Sequence, residues 1–414
     1  MSYPGIWIIS FLSIAAIIVR PFKSSEALWA VLGALLLIIF GFILPADGLK
    51  GILNGTSVYL FLTGMMLLAE VGREAKLFDF LAAYAIKLAR SSSKRFFILI
   101  YIVGIFVTAF LSNDATAIVL TPAVAAAAKA AKIKKPLPFL LICAFVANAA
   151  CFILPISNPA NLIIYKSELP SLSHWLNLYI VPSLVAIAIT FILLWLTQKQ
   201  NLKQSIESDQ VVPKLTPVGR TALFGIVSTA VILLICSALD IQLGLPTAIT
   251  GIVTCAVVSI SSKKNPLTIL KGVSWSVLPL VAGLFVIVEA LNKTGIIKIL
   301  SGILQKSLSH SVAAATWASG IATAFGGNLL NNLPAGLIAS NVIQAGPVPE
   351  IVKRAVLIGI DLGPNLSVTG SLATILWLVV LRREGLKITG WQFLKLGIII
   401  MSITLFFTLA SLWL

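Results

Sequence analysis

Long apolar runs separated by short polar loops dominate this chain, and several of the runs are interrupted near their middles by clustered Asn, Asp, Gly and Pro. Runs of roughly 15–22 apolar residues predict membrane-crossing helices at about 5–19, 26–44, 57–71, 136–166, 175–197, 219–239, 245–260, 274–291, 350–381 and 391–413. Two further apolar segments, about 96–128 and 310–345, are each split by a polar break into two arms. Segments 72–92 and 292–308 mix charges with Leu, Ile and Phe and read as amphipathic helices at the membrane interface. The apolar runs are continuous rather than alternating, which excludes a β-barrel reading.

The breaks carry the polar residues. One is Gly326-Gly327-Asn328-Leu329-Leu330-Asn331-Asn332-Leu333-Pro334, followed by Asp361-Leu362-Gly363-Pro364-Asn365. Its counterpart in the first half is Leu111-Ser112-Asn113-Asp114, then Asn148, then Ser157-Asn158-Pro159-Ala160-Asn161. In hydrocarbon every backbone polar group needs a partner in the protein or in cavity water. Broken helices at membrane depth therefore usually line a binding site, and the four breaks are expected to form one.

These landmarks recur. Gly64 and Glu70 match Gly283 and Glu289 at an offset of 219, and Leu111–Asp114 matches Leu329–Asn332 at 218. Asn148 matches Asp361, and 157–161 matches 370–374, both at 213. The expected fold is an all-α polytopic membrane protein. It consists of two inverted repeats, each with about five transmembrane helices and one re-entrant hairpin, with broken helices at the bilayer midplane. The first repeat covers 1–197, with its hairpin at about 96–128 and its broken helix at about 136–166. A cytoplasmic linker, 198–218, contains Lys199, Lys203, Glu207, Asp209 and Pro213. The second repeat covers 219–414, with its hairpin at about 310–345 and its broken helix at about 350–381.

Composition sharpens the class. The chain is 59% apolar and only 11% charged, against about 25% charged in a soluble domain. A net charge of +16 can mean nucleic acid, but here the basic residues lie in short loops, the pattern of membrane orientation. With both segments 96–128 and 310–345 as hairpins, 23 Lys and Arg fall on one side and 7 on the other. The first side is then the cytoplasm and both termini face out. A model with twelve full crossings is the rival; it separates Lys94-Arg95 from Lys129, Lys132, Lys134 and Lys135. No basic residue precedes Arg20, so 5–19 reads as a membrane helix rather than a cleaved signal. Trp7, Trp29, Trp175, Trp195, Trp275, Trp391 and Trp413 are expected near span ends as interfacial anchors.

Candidate chemistry is confined to the breaks. No phosphate-binding GxxxxGK[ST] loop or HExxH motif is present, so no nucleotide, cofactor or metal site is expected and transport must draw on a gradient or a partner. Cys143, Cys151, Cys236 and Cys255 show no paired spacing, and Cys143 and Cys151 read as small core residues. Asp114 and Asp361 are the proton-coupling candidates, because a carboxylate at bilayer depth is costly and usually functional. Asp114 can equally serve as a helix cap. Ser112, Asn113, Asn148, Asn158, Asn161, Asn331, Asn332, Asn365, Ser371 and Thr374 supply uncharged donors and acceptors for a small hydroxylated solute, or satisfy broken backbone. Glu70 and Glu289 sit at predicted helix ends, either as interfacial structure or in coupling.

The run from Gly327 to Ala339 (GNLLNNLPAGLIA), the run from Asp361 to Leu381 and SNDATAIVLTP at 112–122 closely resemble the arsenite efflux permeases, the ArsB family. The likeness covers essentially the whole chain. It implies export of arsenite and antimonite, as neutral trivalent hydroxides, through a prokaryotic inner membrane in exchange for protons. In some systems it implies docking of a soluble ArsA-type ATPase. Dicarboxylate relatives in the wider ion transporter superfamily carry Ser-Asn-Thr at each hairpin tip, where this chain has Ser112-Asn113-Asp114 and Leu330-Asn331-Asn332. An acidic Asp114 repels a dicarboxylate and tolerates a neutral hydroxide. An ion-coupled anion or dicarboxylate carrier and a silicic acid exporter remain the alternatives.

Overall fold

The computed structural model describes residues 3–207, 214–263, 265–386 and 388–414; the loop residues Asp209, Pro213, Lys264 and Lys387 lie outside them. Among the described residues the chain is helical throughout, apart from loops and one isolated bridge between Ser92 and Ser205. Five helices are long and apolar enough to cross a membrane, or up to seven if two bent pairs each count as one span.

Both halves run through the same order of elements. The first half holds Tyr3–Val19, Glu26–Ile39, a short Pro45–Leu53 bent by 49° into Thr56–Glu74, and Leu77–Ala89. The split segment follows as Ser93–Phe110 and a second arm from Asn113 to Ala130, then the broken pair Leu137–Ala149 and Pro159–Tyr165, then Leu172–Gln198. The second half holds Pro217–Ala238, Gly244–Ser262, a short Pro266–Gly272 bent by 43° into Val277–Lys293, and Ile296–His310. Its split segment is Val312–Leu330 with Asn332–Gln344, its broken pair Glu350–Leu362 with Leu372–Arg383, and its last helix Gly390–Ala410.

The expected span 26–44 stops at Ile39. The chain turns at Gly41, whose φ of 70° is open to glycine, and restarts at Pro45, where a first-turn proline loses no hydrogen bond. The nine-residue helix that follows, and its counterpart at Pro266, are too short for an apolar period to announce.

The split segments double back. The Thr108 and Thr116 hydroxyls meet at 2.8 Å, whereas eight residues of continuous helix would separate them by about 12 Å. The two ends of this hairpin rest on the same strip of chain. Ser92 pairs with Ser205, the Glu207 amide donates to the Ala131 carbonyl at 3.1 Å, and Lys132 pairs with Glu207. The arm Ser93–Phe110 alone is long enough to cross a membrane; it is the shared base that brings the two ends of the hairpin together. The second hairpin is closed likewise, with Gln305 Nε2, just before it, donating to the Pro347 carbonyl just after it at 3.0 Å.

A scaffold forms where the halves interlock. Helix Thr56–Glu74 packs on Gly244–Ser262, and Glu26–Ile39 packs on Val277–Lys293. Gly64 lies so close to the partner backbone that a Cβ there would sit 2.0 Å from the Thr247 carbonyl oxygen. Its sequence match Gly283 does the same against Ala30, where a Cβ would fall 2.6 Å from the carbonyl carbon. Small residues allowing close backbone approach are how helices associate without a hydrophobic drive. Trp7, Trp275, Trp391 and Trp413 are exposed as anchors should be, but Trp175 is fully buried and donates its indole N–H to the Phe152 carbonyl at 3.1 Å.

Candidate functional site

The two broken spans meet at their breaks. Leu137–Ala149 ends as the backbone leaves the helix, and the chain restarts at Pro159 under an Asn158 cap whose Oδ1 accepts from the Ala160 amide at 3.1 Å. Glu350–Leu362 likewise gives way to a short turn at Gly363–Asn365, and Ser371 caps the next helix by accepting from the Thr374 amide. Across this junction Asn148 Nδ2 donates to Asn365 Oδ1 at 2.9 Å, and Asn158 Nδ2 donates to Asp361 Oδ1 at 2.7 Å. Asn365 Nδ2 donates back to the Phe145 carbonyl at 3.2 Å. The matched pair Asn148 and Asp361 thus each reach into the other broken span.

Asp361 is only 1% exposed, and its Oδ2 has no hydrogen-bond partner. Asn161 spans the first break, donating to the Cys151 and Leu154 carbonyls, and its Oδ1 also lacks a partner. The Cys151 thiol donates to the Asn148 carbonyl at 2.9 Å and lies against Asp361. Among the described residues no Lys or Arg makes a hydrogen bond or ion pair with this network. The set is therefore one lone carboxyl among neutral amides, able to hold a proton or a small hydroxylated molecule but offering no cation to a second anion. No group of three or more His, Cys, Asp or Glu that could hold a metal is found among the described residues.

The hairpin tips dock on the broken spans. In the first, Ser157 Oγ donates to the Ala109 carbonyl at 2.9 Å, Ser112 Oγ caps the Ala115 amide, and Asn113 Oδ1 accepts from the Asp114 amide. A π-turn follows at Thr116–Leu120, a rare geometry frequent at functional sites. In the second, Asn331 holds φ 73° and ψ 151°, a strained conformation for any side-chain-bearing residue. The Asn332 amide donates to the Gly370 carbonyl at 3.0 Å, and Ser371 and Thr374 share a hydroxyl contact at 2.9 Å.

Among the described residues no hydrogen bond joins Asp114 to Asp361. Asp114 lines a crevice of about 50 Å³ with Ser112, Glu70 and Pro159, between the first hairpin and helix Thr56–Glu74. Glu70 is buried there and paired with Arg73. Glu289 borders a much larger cleft, about 430 Å³, with Lys166 and Asn341. Lys166 Nζ donates to Asn341 Oδ1 at 2.7 Å.

Three residues not proposed as cargo contacts also bind here. Asn328 Nδ2 donates to the Gly363 carbonyl at 2.7 Å while its Oδ1 accepts from Ser367 Oγ at 2.8 Å, which ties hairpin to broken span; Ser157 does so in the first half. Their signal was membership of the polar runs, which says nothing of direction. Asn328→Ala removes two hydrogen bonds between hairpin and broken span, while the Gly363 carbonyl keeps the Leu366 amide and the Ser367 hydroxyl keeps Thr369 Oγ1, so it should cost about 1–3 kcal/mol. A fall in melting temperature of the purified protein, larger than for Ser367→Ala, checks this.

A family model described as citrate transporter, CitMHS, matches residues 14–359. The chain is 27% identical over 415 residues to the arsenical pump membrane protein of Escherichia coli strain K12, covering 97% of this chain and 96% of that protein. It is 27% identical over 370 residues to the protein of the same description from Yersinia enterocolitica, covering 87% and 86%. Its fold is similar to the crystal structure of the Alcanivorax borkumensis YdaH transporter, with a TM-score of 0.58, 14% identity and coverage of 91% and 88%. The chain is thus a multi-pass membrane transporter by relationship as well as by composition.

Proposed function

We propose that this chain, which belongs to the citrate transporter family, exports arsenite and antimonite as neutral hydroxides from the cytoplasm in exchange for protons. One observation carries the reading: the joint between the broken spans holds a single buried carboxyl, Asp361, with one oxygen unpartnered, among neutral amides and without a cation. Such a set suits a neutral hydroxide and a proton in turn. A citrate trianion would need arginines or lysines that the network lacks. The likeness to arsenical pump membrane proteins supports the same cargo.

In this reading the halves are inverted repeats, the 23-residue basic side faces the cytoplasm, and the hairpins and broken spans move against the interlocked scaffold. Asp361 and Asp114 carry the proton at separate points of the path. The Asn, Ser and Thr residues of the breaks hold the hydroxyls. This scheme requires no soluble ATPase, since Asp361 and Asp114 supply gradient-linked groups; a docked ArsA-type partner is an addition to it. The second reading, coupled uptake of a carboxylate anion, is favoured by the family's own description.

Purified protein in liposomes with an imposed pH gradient separates the two. Arsenite flux that follows the pH gradient and ignores sodium and citrate supports export of the hydroxide. Sodium-driven citrate uptake with no arsenite flux refutes it; silicic acid flux at the arsenite rate would move the cargo to that related hydroxide.

A further inference from the structure

A second polar cavity, about 620 Å³, opens between Tyr3–Val19, the loop before Val277–Lys293 and the end of Leu372–Arg383. Arg20, Arg382 and Arg383 line it, with the hydroxyls of Ser24, Ser274 and Ser276. Arginines from opposite ends of the chain, Arg20 and Arg382–Arg383, converge here, which loop charge for orientation does not require. Arg20 is paired with the buried Glu26, yet its Nε is buried without a partner. Arg382 and Arg383 have no carboxylate partner among the described residues. With Glu26 cancelling Arg20, two positive charges are left over.

The loop that presents Arg20 is held in an uncommon backbone, with Arg20 at φ 54° and Phe22 at φ 57°. At these left-handed angles a side-chain-bearing residue costs free energy, and such strain persists where the surroundings enforce it. The rim is apolar at Val19, which is 73% exposed, and Phe22 in the loop that carries Arg20 is 96% exposed. The cavity shares Ser274, Val277 and Leu376 with the crevice that holds Asp114, so an occupant would sit beside that crevice.

We propose that this cavity binds a phosphate group, taken in the forks of Arg382 and Arg383 and by the serine hydroxyls. Guanidinium forks match phosphate oxygens in pairs, and hydroxyls add neutral donors. The apolar rim favours the headgroup of an anionic phospholipid, since basic pockets between membrane helices hold such headgroups. This site is independent of the cargo assigned above.

The test measures the melting temperature of the delipidated full chain in detergent, titrated with phosphatidylglycerol, phosphatidylcholine or inorganic phosphate. The wild type and Arg382→Gln/Arg383→Gln are compared, with Ser276→Ala as an uncharged second variant. We expect phosphatidylglycerol to stabilise the wild type with half-saturation about tenfold lower than in the double variant, and Ser276→Ala to fall between. Stabilisation by the lipid alone identifies a headgroup; equal stabilisation by inorganic phosphate identifies a soluble anion, and either upholds the site. Phosphatidylcholine acting as well as phosphatidylglycerol, or variants indistinguishable from wild type, would overturn it.

Discussion

Asp361→Asn is expected to abolish proton-driven accumulation of arsenite while leaving the protein folded and inserted. The substitution keeps the shape of the side chain and an oxygen for Asn158 Nδ2, which now donates at 2.7 Å. It removes the acidic oxygen that has no partner in a site only 1% exposed. An ionised carboxylate buried without a cation is penalised by several kcal/mol, so this oxygen is where a proton would be exchanged as water and cargo come and go. An amide cannot take up or release that proton. Uphill transport should fall by about 10²-fold or more, the scale on which a positioned proton-transfer group acts. Exchange of labelled for unlabelled arsenite across the membrane, which moves no net proton, should survive. If Asp361→Asn kept full proton-coupled efflux, the role given to Asp361 would be wrong. Asn158→Ala makes a useful companion, since it strips the Asn158 amide donor from Asp361 while sparing the carboxyl.

Gly64→Val should destabilise the scaffold more than any surface change, by about 3 kcal/mol. The added Cβ would fall 2.0 Å from the Thr247 carbonyl oxygen and 2.8 Å from the Ala248 amide nitrogen. Both are backbone atoms, so no side chain can swing aside and the two helices must separate. Loss of close backbone contact removes the packing that holds membrane helices together. Gly283→Val should behave alike, because its Cβ would meet the Ala30 backbone at 2.6 Å. Gly302 has nothing within 4 Å of a Cβ, so Gly302→Ala should be neutral or stabilise by up to about 1 kcal/mol through helix propensity. Melting temperatures of the three purified variants test the contrast; a tolerated Gly64→Val would mean the interface is looser than the packing indicates.

Much of this was legible because hydrocarbon leaves few solutions. Apolar length announced the spans, and Asn, Asp, Gly and Pro within them announced breaks at 111–114, 157–161, 326–334 and 361–365. The recurrence of Gly64 as Gly283 was visible as a pattern, and the structure supplies its cause in two equivalent helix contacts. What was hidden depends on direction in space. A polar run does not say that Asn328 faces Gly363 and Ser367 rather than the hairpin partner, nor that Asn158 reaches Asp361. The short helices at Pro45 and Pro266 escaped because nine and seven residues hold too few turns to show a period. Trp175 reads as an anchor by its position near a span end; only the fold shows the Phe152 carbonyl waiting for its N–H.

The most direct test uses everted membrane vesicles from cells producing this chain, with the interior made acid, and follows arsenite accumulation before and after an uncoupler. The account predicts uptake that collapses when the gradient is dissipated and is missing in Asp361→Asn vesicles holding equal protein. Arsenite accumulation unaffected by the uncoupler, or none at all from protein shown active by sodium-driven anion uptake, would contradict it.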